Sequence, residues 1–131
     1  RPLAWSRGER EALRFSYLHG SAMIATAASL GADGFVTGLA GVFPELCVAA
    51  WNAARSGDDE SAARYERQLL RLSAALEFGP ALACLEVMVQ HRGLGNWISA
   101  HPQSRLDATA SRKVIEAVEE SGALSVELVG A

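Results

Sequence analysis

The chain has 131 residues, half of them hydrophobic, and its 12 basic and 15 acidic residues give a formal net charge of −3. This length suits one domain with its own core, and the charge leaves no basic surplus for nucleic acid. Charged residues interrupt every apolar run short of the ~20 residues that span a bilayer, which argues against a membrane protein. Cys47 and Cys84 lie singly among apolar neighbours, which predicts two reduced, buried thiols and a cytoplasmic location.

The first part of the chain has the rhythm of two strand–helix units. Residues 8–15 are predicted to form a short helix, residues 16–19 a strand, and residues 22–30 an alanine-rich helix that ends at Gly31. The apolar residues of this second helix recur at helical spacing and are predicted to be buried: Met23, Ile24, Ala27 and Leu30. A second strand is predicted over residues 34–37, and its apolar character suits a strand covered on both faces.

Helices dominate the remainder of the chain. After a glycine-flanked loop over residues 38–41, Pro44 begins a helix that runs to about residue 56. Asp58 or Asp59 then caps a long helix whose apolar residues fall three and four apart: Ala62, Tyr65, Leu69, Leu72 and Leu76. The opposite face of this helix is predicted to carry its charged residues: Arg64, Glu66, Arg67 and Arg71.

Two further helices are predicted, over about residues 81–92 and residues 107–121. The sequence between them, residues 94–105, is predicted to be a loop, and residues 123–131 either a loose tail or an edge strand. Two strands cannot close a barrel or form a stable parallel sheet unaided. Missing sequence or another polypeptide must therefore complete the sheet.

Four segments, in order and at matching spacing, carry a resemblance to a known family: residues 18–21 (LHGS), 30–37 (LGADGFVT), 40–46 (AGVFPEL) and 51–58 (WNAARSGD). They resemble the last two strand–helix units of the (β/α)8 barrel in the dihydrodipicolinate synthase and N-acetylneuraminate lyase family of pyruvate aldolases. The resemblance implies an α/β fold, the C-terminal part of a TIM barrel with strands seven and eight. Residues 1–57 would form these barrel units, and residues 58–131 a helical region packed on the barrel.

Members of this family cleave or condense 2-oxo acids through a Schiff base between pyruvate and a lysine on strand six. A tyrosine from an earlier strand moves protons, a turn holds the pyruvate carboxylate, and the resemblance implies neither a cofactor nor a metal. None of these three elements, the lysine, the tyrosine and the turn, is identified in the sequence. Lys113 is the sole lysine, and Ala4 stands where the register would place the nucleophile. The chain is therefore expected to be the C-terminal portion of such a lyase. A true divergence, which would exclude this chemistry, is the alternative.

The resemblance implies four substrate-binding residues and no catalytic residue within the chain. Gly20 matches the strand-seven glycine, whose missing side chain lets substrate approach the backbone. Val36 matches the strand-eight residue whose carbonyl faces the lysine and the substrate, and Thr37 and Gly38 follow at the mouth of the barrel. Turn residues, for the glycines, and core packing, for Val36, are the alternative interpretations.

Neighbouring residues depart from the family pattern in ways that bear on substrate. Residues 21–23 (SAM) stand where sialic-acid lyases carry acidic residues, which argues against polyhydroxylated sialic acid. The small substrates that remain are 4-hydroxy-2-oxoglutarate, a 2-keto-3-deoxy acid or a dihydrodipicolinate-type substrate. Gly41 replaces the usual asparagine, which leaves open how that loop is held. His19 lies at the mouth, where a hydrogen-bonded or exposed role and a substrate contact are both open.

The expected partners are a small 2-oxo acid and further copies of the protein, as a homodimer or homotetramer, with no nucleic acid and no membrane. The alternative function is a non-catalytic helical interaction module, in which the stripe over residues 62–76 docks onto a partner. Pairing between the two predicted strands would favour the enzyme, and helices throughout would favour the module.

Overall fold

The computed structural model describes residues 6–96 and 104–126, and helices and strands alternate from Arg7 to Ser56, after which the elements are helical. The elements are, in chain order, α1 (Arg7–Ala12), β1 (Leu18–His19), α2 (Ile24–Ser29), β2 (Gly34–Phe35), α3 (Pro44–Ser56), α4 (Asp59–Ala75), α5 (Ala81–His91) and α6 (Ala108–Ser121). Short 3-10 turns lie at Gly38–Gly41, Leu76–Phe78 and Ala123–Ser125. Every predicted helix and both predicted strands are present, although the strands are shorter than predicted.

The two strands form a parallel pair. The register places two residue pairs opposite each other, Leu18 with Gly34 and His19 with Phe35. The Asp33 N–H donates to the Tyr17 carbonyl and the Val36 N–H donates to the His19 carbonyl, each at 2.8 Å. The pairing that was expected to favour the enzyme over the helical module is therefore present.

The two faces of this sheet have different surroundings. The Phe35 ring lies 5.6 Å from the Trp51 ring on α3, so this face packs against the helices. His19 lies opposite Phe35 and shares that face, because directly paired residues point to the same side. Leu18 and Val36 belong to the other face and are 54% and 62% exposed. The sheet is thus covered on one side and open on the other.

The core lies between the helices. α3 packs against α2 and α4, and α4 also contacts α6. The largest fully buried side chains include Phe43, Ile24, Leu46, Leu69, Leu72 and Met88. Both cysteines are buried and free, as predicted, and burial raises the pKa of the Cys47 thiol to about 12.

The structure corrects the predicted faces of two helices. Met23 and Leu30 are 44% and 58% exposed, because α2 has only six residues and both lie just beyond its ends. Its buried face consists of Ile24, Ala25, Ala27 and Ala28. Glu66 does not lie on a solvated face of α4: its carboxylate accepts a hydrogen bond of 2.7 Å from the Thr26 N–H and another from the Thr26 hydroxyl.

Two connections also differ from the sequence predictions. The loop over residues 38–41 is a 3-10 turn, and residues 123–125 form another 3-10 turn rather than an edge strand. Residues 94–96 and 104–105 lie outside helices, as predicted, and Asp107 caps the last helix, whereas residues 97–103 and 127–131 lie outside the described residues. Asp58, not Asp59, caps α4 by accepting from the Ser61 N–H at 3.1 Å.

Within residues 6–96 and 104–126, no single helix is both long and apolar enough to cross a membrane. The helical stretch Asp59–Phe78 and α5 meet that length and composition only together, across a bend of 119°.

The Glu66 carboxylate caps α2 from a neighbouring helix, since the N-cap residue Met23 has no side-chain capping bond of its own. We expect Glu66→Ala to lower the free energy of unfolding by about 1–2 kcal/mol, because the Thr26 N–H and hydroxyl lose their acceptor. Urea unfolding would measure this, with Glu116→Ala on the exposed face of α6 as the matched control. Equal stability of the two variants would contradict the capping role.

Candidate functional site at the carboxyl ends of the strands

Two of the four predicted site residues lie together where β1 and β2 end. A Cβ atom placed on Gly20 would lie 4.0 Å from the Val36 carbonyl oxygen, with no other atom nearer. The Val36 side chain is exposed on the open face of the sheet. Gly20 and Val36 thus present a glycine backbone and a carbonyl oxygen side by side at the end of the parallel pair.

The other two predicted residues have structural roles in the adjoining turn. The Thr37 hydroxyl oxygen accepts from the Leu39 N–H at 3.4 Å and so caps the 3-10 turn. A Cβ atom on Gly38 would come within 2.9 Å of Leu85 Cδ1 on α5. Gly38 therefore lets α5 approach the strand end, which agrees with the turn interpretation considered for this residue.

Arg92, at the end of α5, holds the loop that follows β2. Its guanidinium donates to the Val42 carbonyl and to both carboxylate oxygens of Glu45, at 3.2 and 3.3 Å. It also lies 5.0 Å above the centre of the buried Phe43 ring, in cation–π geometry. This clamp answers how the loop is held with Gly41 in place of asparagine.

The clamp also sets the charge state of Glu45. The Arg92 hydrogen bonds lower the pKa of the Glu45 carboxyl below its ordinary value of 4.5, and partial burial opposes them without overcoming them. Glu45 lies in the first turn of α3, where the positive end of the helix also favours a carboxylate.

A second arginine, which is buried, anchors the opposite ends of the strands. Arg10 is 3% exposed, and its Nε donates to Asp33 Oδ2 at 3.1 Å while an Nη donates to the Gly31 carbonyl at 2.5 Å. Asp33 Oδ2 also accepts from the Tyr17 N–H at 2.8 Å. One carboxylate thereby joins α1 to the starts of β1 and β2. No motif or periodicity in the sequence points to either arginine.

Three side chains at alternate positions in and beside β1, those of Tyr17, His19 and Ser21, form a hydrogen-bonded ladder. The Tyr17 hydroxyl lies 3.0 Å from His19 Nδ1, and His19 Nε2 lies 2.7 Å from Ser21 Oγ. Ser21 Oγ also accepts from the Met23 N–H at 2.9 Å. His19 is therefore hydrogen-bonded on the helix-covered side, one of the two roles left open for it.

The described part of the site supplies shape and hydrogen-bonding groups rather than a nucleophile. Lys113 is exposed on α6, with its Nζ 5.9 Å from the centre of the Phe78 ring. Ala4, which matched the position of the catalytic lysine, lies outside the described residues. Across residues 6–96 and 104–126, no three His, Cys, Asp or Glu side chains come together in a metal-binding group.

Comparison with known proteins identifies relatives of the same fold. The sequence profile of the dihydrodipicolinate synthetase family matches residues 10–121. Dihydrodipicolinate synthase from Bacteroides thetaiotaomicron is 28% identical and superposes with a TM-score of 0.75 over 86% of this chain. The 2-keto-3-deoxygluconate aldolase from Sulfolobus solfataricus, solved in complex with D-KDPG, is 26% identical, with a TM-score of 0.80 over 92% of this chain.

N-acetylneuraminate lyase from Fusobacterium nucleatum shares the fold at 13% identity, with a TM-score of 0.73 over 86% of this chain. These neighbours have the (β/α)8 barrel fold. The chain spans only about two fifths of their length, 41%, 42% and 40% respectively. No curated protein sequence matches the chain.

The Arg92–Glu45 clamp gives a prediction with a defined pH dependence. We expect Arg92→Met, which keeps most of the aliphatic stem, to lower the free energy of unfolding by about 2 kcal/mol at pH 7. The pKa of Glu45 is lower in the folded state than in the unfolded state, so its contribution is fully present above pH 4.5 and is lost as the pH falls through the folded value. The difference between wild type and variant should therefore shrink between pH 7 and pH 3.

Urea unfolding at both pH values would measure this difference, with Arg67→Met on the exposed side of α4 as the control. A difference that stays constant across this range would rule out Glu45 as the group stabilised by Arg92.

Proposed function

The chain belongs to the dihydrodipicolinate synthetase family, and from that membership we propose that it is the C-terminal portion of a Schiff-base-forming lyase that cleaves or condenses pyruvate with a small aldehyde. The observation that carries the proposal is the parallel pair of β1 and β2 with one apolar face exposed. Within the described residues these strands pair only with each other. Parallel strands of this kind occur in sheets covered on both faces.

In this proposal β1 and β2 are the seventh and eighth strands of a (β/α)8 barrel. The side chains of Leu18 and Val36 then face the barrel interior, which accounts for apolar residues exposed on a two-residue strand. Residues 1–57 complete the barrel wall, and residues 58–131 form a helical region packed on it. The first six strand–helix units come from sequence that precedes Arg1 in the parent protein.

In the proposed reaction, the preceding part of the protein supplies the lysine and this chain lines the substrate site. A lysine amine on the preceding part attacks the keto carbonyl of the 2-oxo acid, water leaves, and the resulting iminium stabilises the carbanion formed when the carbon–carbon bond breaks. This chain contributes one wall of the site. Gly20 leaves room for the substrate against the backbone, the Val36 carbonyl oxygen faces the reacting group, and Thr37 and Gly38 form the rim.

Neutral residues next to Gly20 support a small substrate. Ser21, Ala22 and Met23 bring no charge to the strand end, so the polar groups of a large sugar acid would lack charged partners there. We therefore propose a 2-oxo acid such as 4-hydroxy-2-oxoglutarate, a 2-keto-3-deoxy acid or a dihydrodipicolinate-type substrate. A cytoplasmic homodimer or homotetramer completes the proposal.

The helical interaction module has less support. Its docking stripe on α4 is already occupied, since Ala62, Leu69 and Leu72 are buried in the core.

Borohydride trapping with pyruvate tests whether the Schiff-base lysine lies in the part that precedes this chain. We expect the intact parent protein to gain one pyruvyl adduct, on a lysine that precedes Arg1. The 131-residue chain alone should gain none, because its one lysine, Lys113, is exposed on α6 beside the Phe78 ring. Intact mass and peptide mapping would measure both. A parent with no adduct, or an adduct on Lys113, would overturn the proposal.

The variant Gly20→Ala distinguishes an effect on substrate binding from an effect on the free energy of unfolding. The structure has room for a methyl group at Gly20, whose nearest neighbour would be the Val36 carbonyl oxygen at 4.0 Å. We expect Gly20→Ala to change the free energy of unfolding by less than about 0.5 kcal/mol. In the intact parent the same change should lower kcat/KM about tenfold or more, because the methyl group occupies space left for substrate.

Gly41→Ala is the matched control, because an added Cβ there meets no atom within 4 Å and Gly41 lies outside the proposed wall. Equal activity of the two variants would argue against Gly20 as a substrate-facing residue.

A further inference from the structure

The ladder from Tyr17 to Ser21 joins β1 to the turn that leads into α2. Its two outer members are hydroxyl groups, and its centre is the His19 imidazole. The Met23 N–H, just before α2, donates to the same Ser21 oxygen that meets His19. The ladder therefore spans both sides of Gly20 without including it.

The number of hydrogens on the imidazole limits which groups of the ladder donate and which accept. A neutral imidazole has one donor nitrogen and one acceptor nitrogen, so one neighbouring hydroxyl donates to it and the other accepts from it. A phenol hydroxyl is a better donor than an alkyl hydroxyl, and an alkyl oxygen is a better acceptor. The arrangement that these strengths favour has Tyr17 donating to His19 Nδ1 and His19 Nε2–H donating to Ser21 Oγ. Ser21 Oγ then uses its two lone pairs for the His19 N–H and the Met23 N–H.

From this geometry we propose that His19 is a positioning residue: by bridging Tyr17 and Ser21 it fixes the turn over residues 20–23, and so keeps the Gly20 backbone beside the Val36 carbonyl. The inference rests on the proposed function for its catalytic consequence, because Gly20 is there part of the substrate wall. His19 itself lies on the helix-covered side of the sheet with Phe35, away from the open face that the proposal assigns to the barrel interior.

The surroundings of His19 support a fixed orientation. The Tyr17 and His19 rings meet edge to face, with centroids 6.3 Å apart and planes at 71°. Both ring nitrogens have partners at hydrogen-bonding distance, and the backbone of His19 is paired with β2 on one side. A ring hydrogen-bonded at both nitrogens is held in one orientation, whereas a solvated imidazole is free to rotate.

Two measurements on the chain test the ladder without requiring lyase activity. Long-range 15N–1H correlation spectra would report which nitrogen of each of the three histidines carries the hydrogen. We expect His19, identified by its loss in His19→Gln, to be a single tautomer with hydrogen on Nε2. Amide exchange at Met23 should be about fivefold faster in His19→Phe, because Ser21 loses a partner that holds its oxygen in place. His19→Gln, which keeps an N–H donor, should restore most of the protection.

His91→Phe on α5 is the control and should leave Met23 exchange unchanged. Averaged tautomers at His19, or equal Met23 exchange in wild type and His19→Phe, would overturn the inference. In the intact parent, His19→Phe should lower kcat/KM by about tenfold and His19→Gln should recover most of it. If the parent has no lyase activity the proposed function fails, while the tautomer and exchange data still decide the role of His19.

Discussion

The parallel contact between β1 and β2 is the constraint on which the rest of the structure depends. Parallel strands need a crossover between them and cover on their faces, and α2 supplies the crossover while α3 covers the side of Phe35. The pair is only two residues long on each strand, so hydrogen bonds within the sheet contribute little on their own. The arrangement is held mainly by what packs and binds at its two ends.

Two arginines fix those ends, each through a carboxylate and a backbone carbonyl. Arg10 binds Asp33 and the Gly31 carbonyl at the start of β2, and Arg92 binds Glu45 and the Val42 carbonyl beyond its end. Removing a mostly buried guanidinium from water is costly, and these pairs offset the cost because each charge is also hydrogen-bonded in a fixed geometry. The segment between them, which carries Val36 and the 3-10 turn, is thus pinned at both sides. This is the segment that would have to keep its shape in an active site.

Local signals predicted most of the elements, and distant contacts account for what they missed. Gly57 and Gly122 end α3 and α6 in the left-handed conformation at φ 80° and 74°, a stop that the sequence displays directly. Arg92 and Glu66 reach partners 47 and 40 residues away, and periodicity alone had placed Glu66 on a solvated face. The predicted buried face of α2 was also wrong, because six residues make fewer than two turns and cannot define a buried stripe. Of the candidate site, the sequence predicted the neighbouring Gly20 and Val36. The packing of Gly38 against Leu85 could not be predicted, because it depends on how the fold brings α5 to the end of β2.

The open side of the sheet has a consequence for handling the protein. Within residues 6–96 and 104–126, β1 and β2 pair only with each other, and exposed aliphatic side chains such as Leu18 and Val36 lie next to their outer edges. Such edges are a template for adding strands from neighbouring molecules. We expect the average particle size of this chain to increase with concentration, because an open strand edge can pair with another molecule, whereas a closed barrel has no such edge. Particle size measured on such a sample therefore reports association through the strand edge and does not define a subunit stoichiometry.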